Sequence, residues 1–292
     1  MDPALPLSSF RELWIHTGTA CNLSCPFCHE GSRPADSRLE ALSLADVAPL
    51  LDEAATLGVR QFAFTGGEPL ILKDIHLILQ HALRLRPTLV LTNGTAPFIR
   101  RAHHLASLRE SPHRLRFRVS IDYPDEDRHD AGRGLKNFRK AMEGLRLLLA
   151  AGFQCGITRQ QDAGEDAQAI DRRFRNLLRK QRLPEDLSIV ALPELGIPQP
   201  GRVLAPVSGS AAWSVLAPSC TRSRMLLRRG GTLRIAPCPL VDDSPELELG
   251  PALGSALTQP ARLVHARCHL CLSQGVDYAG PDPKEEQGAT LD

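Results

Sequence analysis

The sequence lacks any apolar run approaching the roughly 18 residues that a bilayer-spanning helix needs. No transmembrane segment is therefore expected. Its opening, Met1-Asp2-Pro3-Ala4-Leu5-Pro6-Leu7, has no basic stretch followed by a long apolar core. That argues against a secretory signal and for the cytoplasm. An excess of one charge is missing too, with 35 Lys and Arg against 33 Asp and Glu and a formal net charge of +2. Nothing in that balance draws the chain to nucleic acid or to an anionic membrane. Lysine itself is scarce, five of those 35 residues, which reads as codon bias. Internal repeats and low-complexity tracts are absent. With 42% hydrophobic and 23% charged residues, neither disorder nor a coiled coil is the main description. A length of 292 residues suits one large domain with a small appendage.

Cysteine, by contrast, is present eight times. In a reducing compartment, clustered cysteines read as metal ligands or catalytic thiols rather than disulfides.

Up to about residue 195, strand-like and helix-like segments alternate. Strands are expected at 12–17, 61–65, 88–92, 115–121, 154–158 and 187–192. Helices are expected at 43–57, 75–85, 98–109, 137–151 and 163–182. Ser43 and Asp46 form a helix-start signature. Such alternation implies βαβ units and a parallel sheet. The expected fold class is α/β: a partial (β/α)6 TIM-like barrel over residues 1–195, with a small C-terminal Cys-rich module. Residues 196–218 read as a Pro/Gly/Ser/Ala linker and 219–280 as the module, with a hairpin around Arg229-Gly230-Gly231. Residues 281–292 read as a flexible tail. Ligands of such barrels gather at the C-terminal ends of the strands. The Cys cluster, Gly66-Gly67-Glu68-Pro69, Asn93-Gly94 and Ser120-Ile121-Asp122 all fall there.

Cys21, Cys25 and Cys28 follow a C-x3-C-x2-C spacing. Three thiolates on one loop can hold three corners of a [4Fe-4S] cubane and leave one iron open to a small molecule. Zinc is the alternative, with His29 as a poorly placed fourth ligand. Cys220, Cys238, Cys268 and Cys271 form a second set, in which C-x2-C closes the pattern. Four thiolates suit either a second [4Fe-4S] cluster or an all-cysteine zinc site, and spacing leaves both open. Cys155, inside a strand, is expected to be a buried small hydrophobe, with a hydrogen-donor thiol as the lesser reading. Arg100, Arg101, Arg114, Arg116 and Arg118, with His103, His104 and His113, are expected on solvated faces or in salt bridges, and an acidic electron donor could dock on such a face.

At these residues the chain resembles the radical S-adenosylmethionine (SAM) superfamily, whose loop is C-x3-C-x-aromatic-C with Phe27 in the aromatic slot. The resemblance continues through Thr65-Gly66-Gly67-Glu68-Pro69, Thr92-Asn93-Gly94 and Ser120-Ile121-Asp122, then His129-Asp130, Arg133-Gly134 and Asn137-Phe138. It implies a SAM-binding [4Fe-4S] cluster on Cys21, Cys25 and Cys28. It also implies SAM contacts from Phe27, Gly66, Gly67, Glu68, Pro69, Asn93, Ser120 and Asp122, with Arg159 as a candidate carboxylate clamp or else a solvated residue. Catalytic side chains remain unassigned. The implied chemistry is reductive cleavage of SAM to a 5′-deoxyadenosyl radical that takes hydrogen from a substrate.

The tail resembles the shortened auxiliary-cluster (twitch) form of the longer SPASM domain. That likeness implies a second [4Fe-4S] cluster on Cys220, Cys238, Cys268 and Cys271, used in electron transfer. The expected function is a radical SAM oxidoreductase acting on a small metabolite, served by a flavodoxin- or ferredoxin-type donor. A maturase of ribosomal peptides is the alternative, made less expected by the first strand beginning about a dozen residues in. An alternative of another class is a zinc-stabilised, non-enzymatic binding protein.

Overall fold

The computed structural model describes residues 3–196, 218–276 and 278–279. The expected linker, apart from its two end residues, and the expected tail lie outside the described residues. The elements in chain order are β1 (Ala4–Leu5), β2 (Glu12–His16), α1 (Leu44–Thr56), β3 (Gln61–Thr65), α2 (Ile75–Leu85), β4 (Thr88–Thr92), α3 (Ala96–Ala106), β5 (Leu115–Ser120), α4 (Glu126–Arg133), α5 (Asn137–Ala150), β6 (Gln154–Gln161), α6 (Ala167–Lys180), β7 (Ser188–Pro193), β8 (Ser223–Arg229), β9 (Thr232–Ala236), α7 (Leu253–Thr258), β10 (Ala261–Arg262) and α8 (Ala266–Gln274).

Local chemistry sets several boundaries. Ser43 caps α1 in a reciprocal box: its side chain accepts from Asp46 N–H while the Asp46 carboxylate accepts from Ser43 N–H, so two otherwise unpaired donors are satisfied. The strands bury both faces, as parallel strands between layers do, and their two-residue period sorts side chains into two cores. Leu13, Ile15, Phe62, Phe64 and Val90 face the helices, with α1, α2 and α5 packed on them. Trp14, Ala63 and Leu89 face the inner side and meet Met225, Leu227 and Tyr278 there.

The main sheet runs β7-β6-β5-β4-β3-β2-β8-β9. All neighbours are parallel except the β8–β9 hairpin. The hairpin was expected within a separate module. It instead continues the sheet, because β8 pairs in parallel with β2, Glu12 opposite Ser223. A second tie is the pair β1–β10, Ala4 opposite Arg262. Among the described residues, no helix is long and apolar enough to cross a membrane.

Three segments depart from expectation. Residues 126–133 form a helix where no element was expected. Asp125 caps it, accepting from Arg128 N–H at 3.0 Å, and Gly134 ends it. β6 runs on to Gln161, so α6 starts at Ala167 rather than 163. Arg116 and Arg118 belong to no solvated patch: Arg116 donates to Gln61 Oε1 at 2.6 Å, and Arg118, 4% exposed, donates to Tyr278 O at 2.7 Å and to Ala279 O. Both lie on the inner side of β5, where alternation puts every second residue. Cys155 is partly buried, packed against the helix-side core and not among the residues of the central cleft.

Candidate active site

The loop after β2 turns on itself within the cysteine cluster: Cys28 N–H donates to Cys25 O at 3.1 Å and Gly31 N–H to Cys28 O at 2.8 Å. Its base is pinned by the segment after β3. Gly67 N–H donates to Gly18 O at 2.9 Å and Glu68 N–H to Ala20 O at 3.1 Å. A Cβ on Gly67 would lie 2.2 Å from Ala20 O, so only glycine permits this approach of two backbones.

Cys21, Cys25 and Cys28 line one cleft of about 140 Å³ at the C-terminal ends of β3 to β7. The same cleft is lined by Phe27, Gly66, Gly67, Glu68, Asn93, Ser120, Asp122 and Arg159. Of the residues singled out from the sequence, Pro69 stands apart; it opens a buried turn of 3-10 helix behind the cleft.

Two of the expected ligand contacts have other duties. The carboxylate of Glu68, 2% exposed, accepts from Leu70 N–H at 3.0 Å, Thr92 Oγ1–H at 2.8 Å and Asn93 N–H at 2.8 Å. It knots the end of β3 to that of β4. Burial pushes its pKa up, against those three donors. Arg159 neither waits for a ligand nor sits in solvent. It is 1% exposed, ion-paired with Glu165 and, at 3.1 Å, with Asp171. Asn93 Nδ2 donates to Asn22 Oδ1 at 3.0 Å, within the cysteine loop.

Several site residues were not among the expected SAM or metal contacts. Arg133 Nη2 donates to Asp122 Oδ1 at 2.9 Å, Nε donates to Oδ2, and the guanidinium lies 5.8 Å from the Phe27 ring. The acidic start and Arg-Gly end of α4 were the available signal. His16 Nε2 and Glu30 Oε2 lie 3.1 Å apart, both buried, close enough for an ion pair without hydrogen-bond alignment. Burial opposes charge on Glu30, yet His16 and His29 hold it well below the usual carboxylate range. The His29 ring meets the Tyr278 hydroxyl, which places a residue from the far end of the chain at the cleft.

The donor set fits a metal–sulfur group. Burial pushes the Cys21 thiol up to about 12 and raises Cys25 and Cys28 as well. Thiols so desolvated become thiolates readily only beside a bound cation. The other four cysteines, Cys220, Cys238, Cys268 and Cys271, line a single pocket. Burial raises Cys220 to about 12 and Cys268 to about 11. Beside them lies Arg224, fully buried. Its guanidinium donates to the carbonyls of Cys220, Ser223, Pro237, Ala256 and Gln259 and, among the described residues, to no carboxylate. A buried cation needs a counter-charge, and four thiolates holding a metal group would supply one.

Residues 15–159 match the family model described as the radical SAM superfamily. A "Probable GTP 3′,8-cyclase" of Methanocella arvoryzae is 35% identical over 149 residues, which is 50% of this chain and 45% of that protein. The chain spans less than half the length of the first curated relatives it matches. Among solved structures, anSMEcpe with bound AdoMet superposes with a TM-score of 0.63 at 14% identity, covering 90% of this chain and 80% of that one. SuiB of Streptococcus suis, bound to its precursor peptide SuiA, superposes with a TM-score of 0.53 at 20% identity over 64% of this chain and 40% of that one. These two likenesses are of fold.

Proposed function

The chain belongs to the radical SAM superfamily through its domain at residues 15–159, and we propose that it is an oxidoreductase of that superfamily holding two [4Fe-4S] clusters and acting on a small polar metabolite. One observation carries the reading: three cysteines of a single loop open onto the cleft that gathers the ends of β3 to β7. Cys21, Cys25 and Cys28 would hold the SAM-binding cluster. When bound, that group supplies one electron for reductive cleavage of SAM to a hydrogen-abstracting 5′-deoxyadenosyl radical.

The chain's own residues hold and shield. Gly66 and Gly67 keep the loop base against β3. Ser120 offers a hydroxyl at the cleft wall, while the two donors of Arg133 fix the orientation of the Asp122 carboxylate. Phe27, Leu192, Leu195 and Tyr278 narrow the cleft with apolar surface, which limits water at the reacting centre.

Cys220, Cys238, Cys268 and Cys271 would hold the second cluster, fully ligated and suited to accepting an electron from an oxidised substrate. Among the described residues, no three His, Cys, Asp or Glu are placed to hold a single ion. Four thiolates would suit a cubane or the zinc alternative, which metal counting separates.

For the substrate, the cleft continues past Phe27, Gln160 and Pro193 to a mouth bearing Tyr123, Gln161, Asp162, Glu194 and Gln274. Amide, hydroxyl and carboxylate groups suit a ligand rich in hydroxyls or amines. The arginines lining the cleft, Arg133 and Arg159, are both held by carboxylates. Neither is free for a phosphate. A reducing, cytoplasmic setting and a flavodoxin- or ferredoxin-type donor complete the proposal.

The test is anaerobic reconstitution with iron and sulfide, metal counting, then SAM and dithionite with detection of 5′-deoxyadenosine. About eight iron and eight sulfide per chain are expected. Deoxyadenosine should vanish when Cys21, Cys25 and Cys28 become Ala and persist when Cys268 and Cys271 do. About four iron with one zinc overturns the second cluster, and no iron on the N-terminal loop overturns the enzyme.

A further inference from the structure

A trio of charges, Asp242 and Arg267 buried and Arg38 half-buried, joins the two cysteine sites. Asp242, fully buried, comes four residues after Cys238. Its Oδ2 accepts from Arg38 Nη2 at 2.8 Å, and its Oδ1 lies 3.3 Å from Arg267 Nη1. Arg267, 2% exposed, immediately precedes Cys268. The two guanidiniums then reach consecutive carbonyls on the N-terminal loop. Arg38 Nη2 donates to Glu30 O at 2.8 Å and Arg267 Nη2 donates to His29 O. His29 and Glu30 directly follow Cys28. Arg267 also donates to Leu240 O at 2.8 Å and to Leu195 O at 3.2 Å. One side chain thus gathers the residue next to Cys28, the chain leaving β7, the loop after Cys238 and the helix bearing Cys268 and Cys271.

Buried ion pairs are poor sources of stability, because desolvation offsets their attraction. What planar, forked donors provide is fixed geometry. Arg38, Asp242 and Arg267 lock the peptides after Cys28 to two segments, each anchored within four residues of a cysteine of the second site. Resting on the two-cluster reading above, we infer that the Arg38–Asp242–Arg267 triad couples the two sites, so that filling the four-cysteine pocket sets how tightly the three-cysteine site holds SAM. Metal in the pocket pins Cys238 and Cys268. Asp242 and Arg267 are pinned with them, and their forks hold residues 28–30 in the SAM-binding arrangement. The coupling is reciprocal, so SAM also slows loss of metal from the pocket. The three are positioning residues: none of them lines the SAM cleft.

The test uses the full chain, reconstituted anaerobically and counted for iron and sulfide. SAM affinity is measured by equilibrium dialysis on the oxidised protein, without turnover. Electron paramagnetic resonance of the reduced protein, with and without SAM, is the second readout. Four chains form a cycle: unsubstituted, Cys268→Ala/Cys271→Ala, Asp242→Asn, and all three substitutions together. Loss of the cysteine pair should weaken SAM binding at least fivefold when Asp242 is present and less than twofold when it is Asn. Arg267→Lys, which keeps the charge and loses the fork, should behave like Asp242→Asn. A fivefold loss that persists in the Asn background overturns the triad as the route. A loss under twofold in the otherwise unsubstituted chain overturns the coupling itself. If Asp242→Asn shows no cooperative melt, Arg38→Lys takes its place in the cycle under the same criteria. The metal count is read separately: about four iron and one zinc in the unsubstituted chain overturns the two-cluster reading. The cycle then judges coupling to the zinc pocket by the same fold-changes.

Discussion

A methyl group at position 132 would lie 2.3 Å from Phe27 Cε1. The glycine of α4 is therefore the floor on which the aromatic residue of the cysteine loop rests. Gly132→Ala should cost about 1–3 kcal/mol through overpacking. It should also lower iron retention at Cys21, Cys25 and Cys28 more than at the other four cysteines, a contrast seen by counting iron with Cys268 and Cys271 replaced. Glu68 makes a second residue-scale prediction. Gln in its place would turn one acceptor toward the N–H groups of Leu70 and Asn93 and the hydroxyl of Thr92 into a donor. Leaving a buried donor unmatched costs about 1–3 kcal/mol, to be read as a lower denaturant midpoint at unchanged slope. Both residues are visible in the sequence, but neither duty is. Glu68 stands in a motif that advertises ligand binding, while its partners come from a strand some twenty-five residues later.

At the scale of elements, two side chains fasten α4 to the chain leaving β5: Arg133 holds the Asp122 carboxylate, and His129 Nδ1 accepts from Asp122 N–H at 3.1 Å. Burial lowers the His129 pKa from 6.5 to about 4. The unfolded chain therefore binds this proton first as the pH falls. Stability contributed by neutral His129 is present above about 6.5 and is lost progressively down to about 4, up to about 3 kcal/mol in all. Chemical denaturation at a series of pH values should show that slope, and His129→Asn should flatten it. Why this helix escaped a reading by periodicity is physical: α4 buries only His129 and Asp130, so no apolar stripe marks it. Its ends were nonetheless written, Asp125 with two acidic residues after it and Arg133-Gly134 at the close. Where amphipathicity was strong, as in α2, the expected span and the observed one coincide at Ile75–Leu85. The strands 61–65 and 88–92 were equally plain, and so were the cysteines that line the cleft. The Arg38–Asp242–Arg267 contacts were not, since isolated charges separated by some two hundred positions carry no local pattern.

At the scale of the molecule, the C-terminal cysteines are no detachable appendage. β8 supplies the neighbour of β2, and Met225 and Leu227 cover the inner face that Trp14 presents. A chain ended at residue 195 should expose that face and the whole unpaired edge of β2. It should fail to show a cooperative thermal transition by circular dichroism, whereas the full chain should melt as one unit.

The pairing of β2 with β8 also has a consequence for time. Glu12 is made early and its partner Ser223 roughly two hundred residues afterwards. At ribosomal rates of about 5–20 residues per second, the first long strand waits roughly ten to forty seconds for its neighbour. Throughout that interval the nascent three-cysteine loop hangs beside an open strand edge, so the surface around it during synthesis differs from the one the finished fold presents.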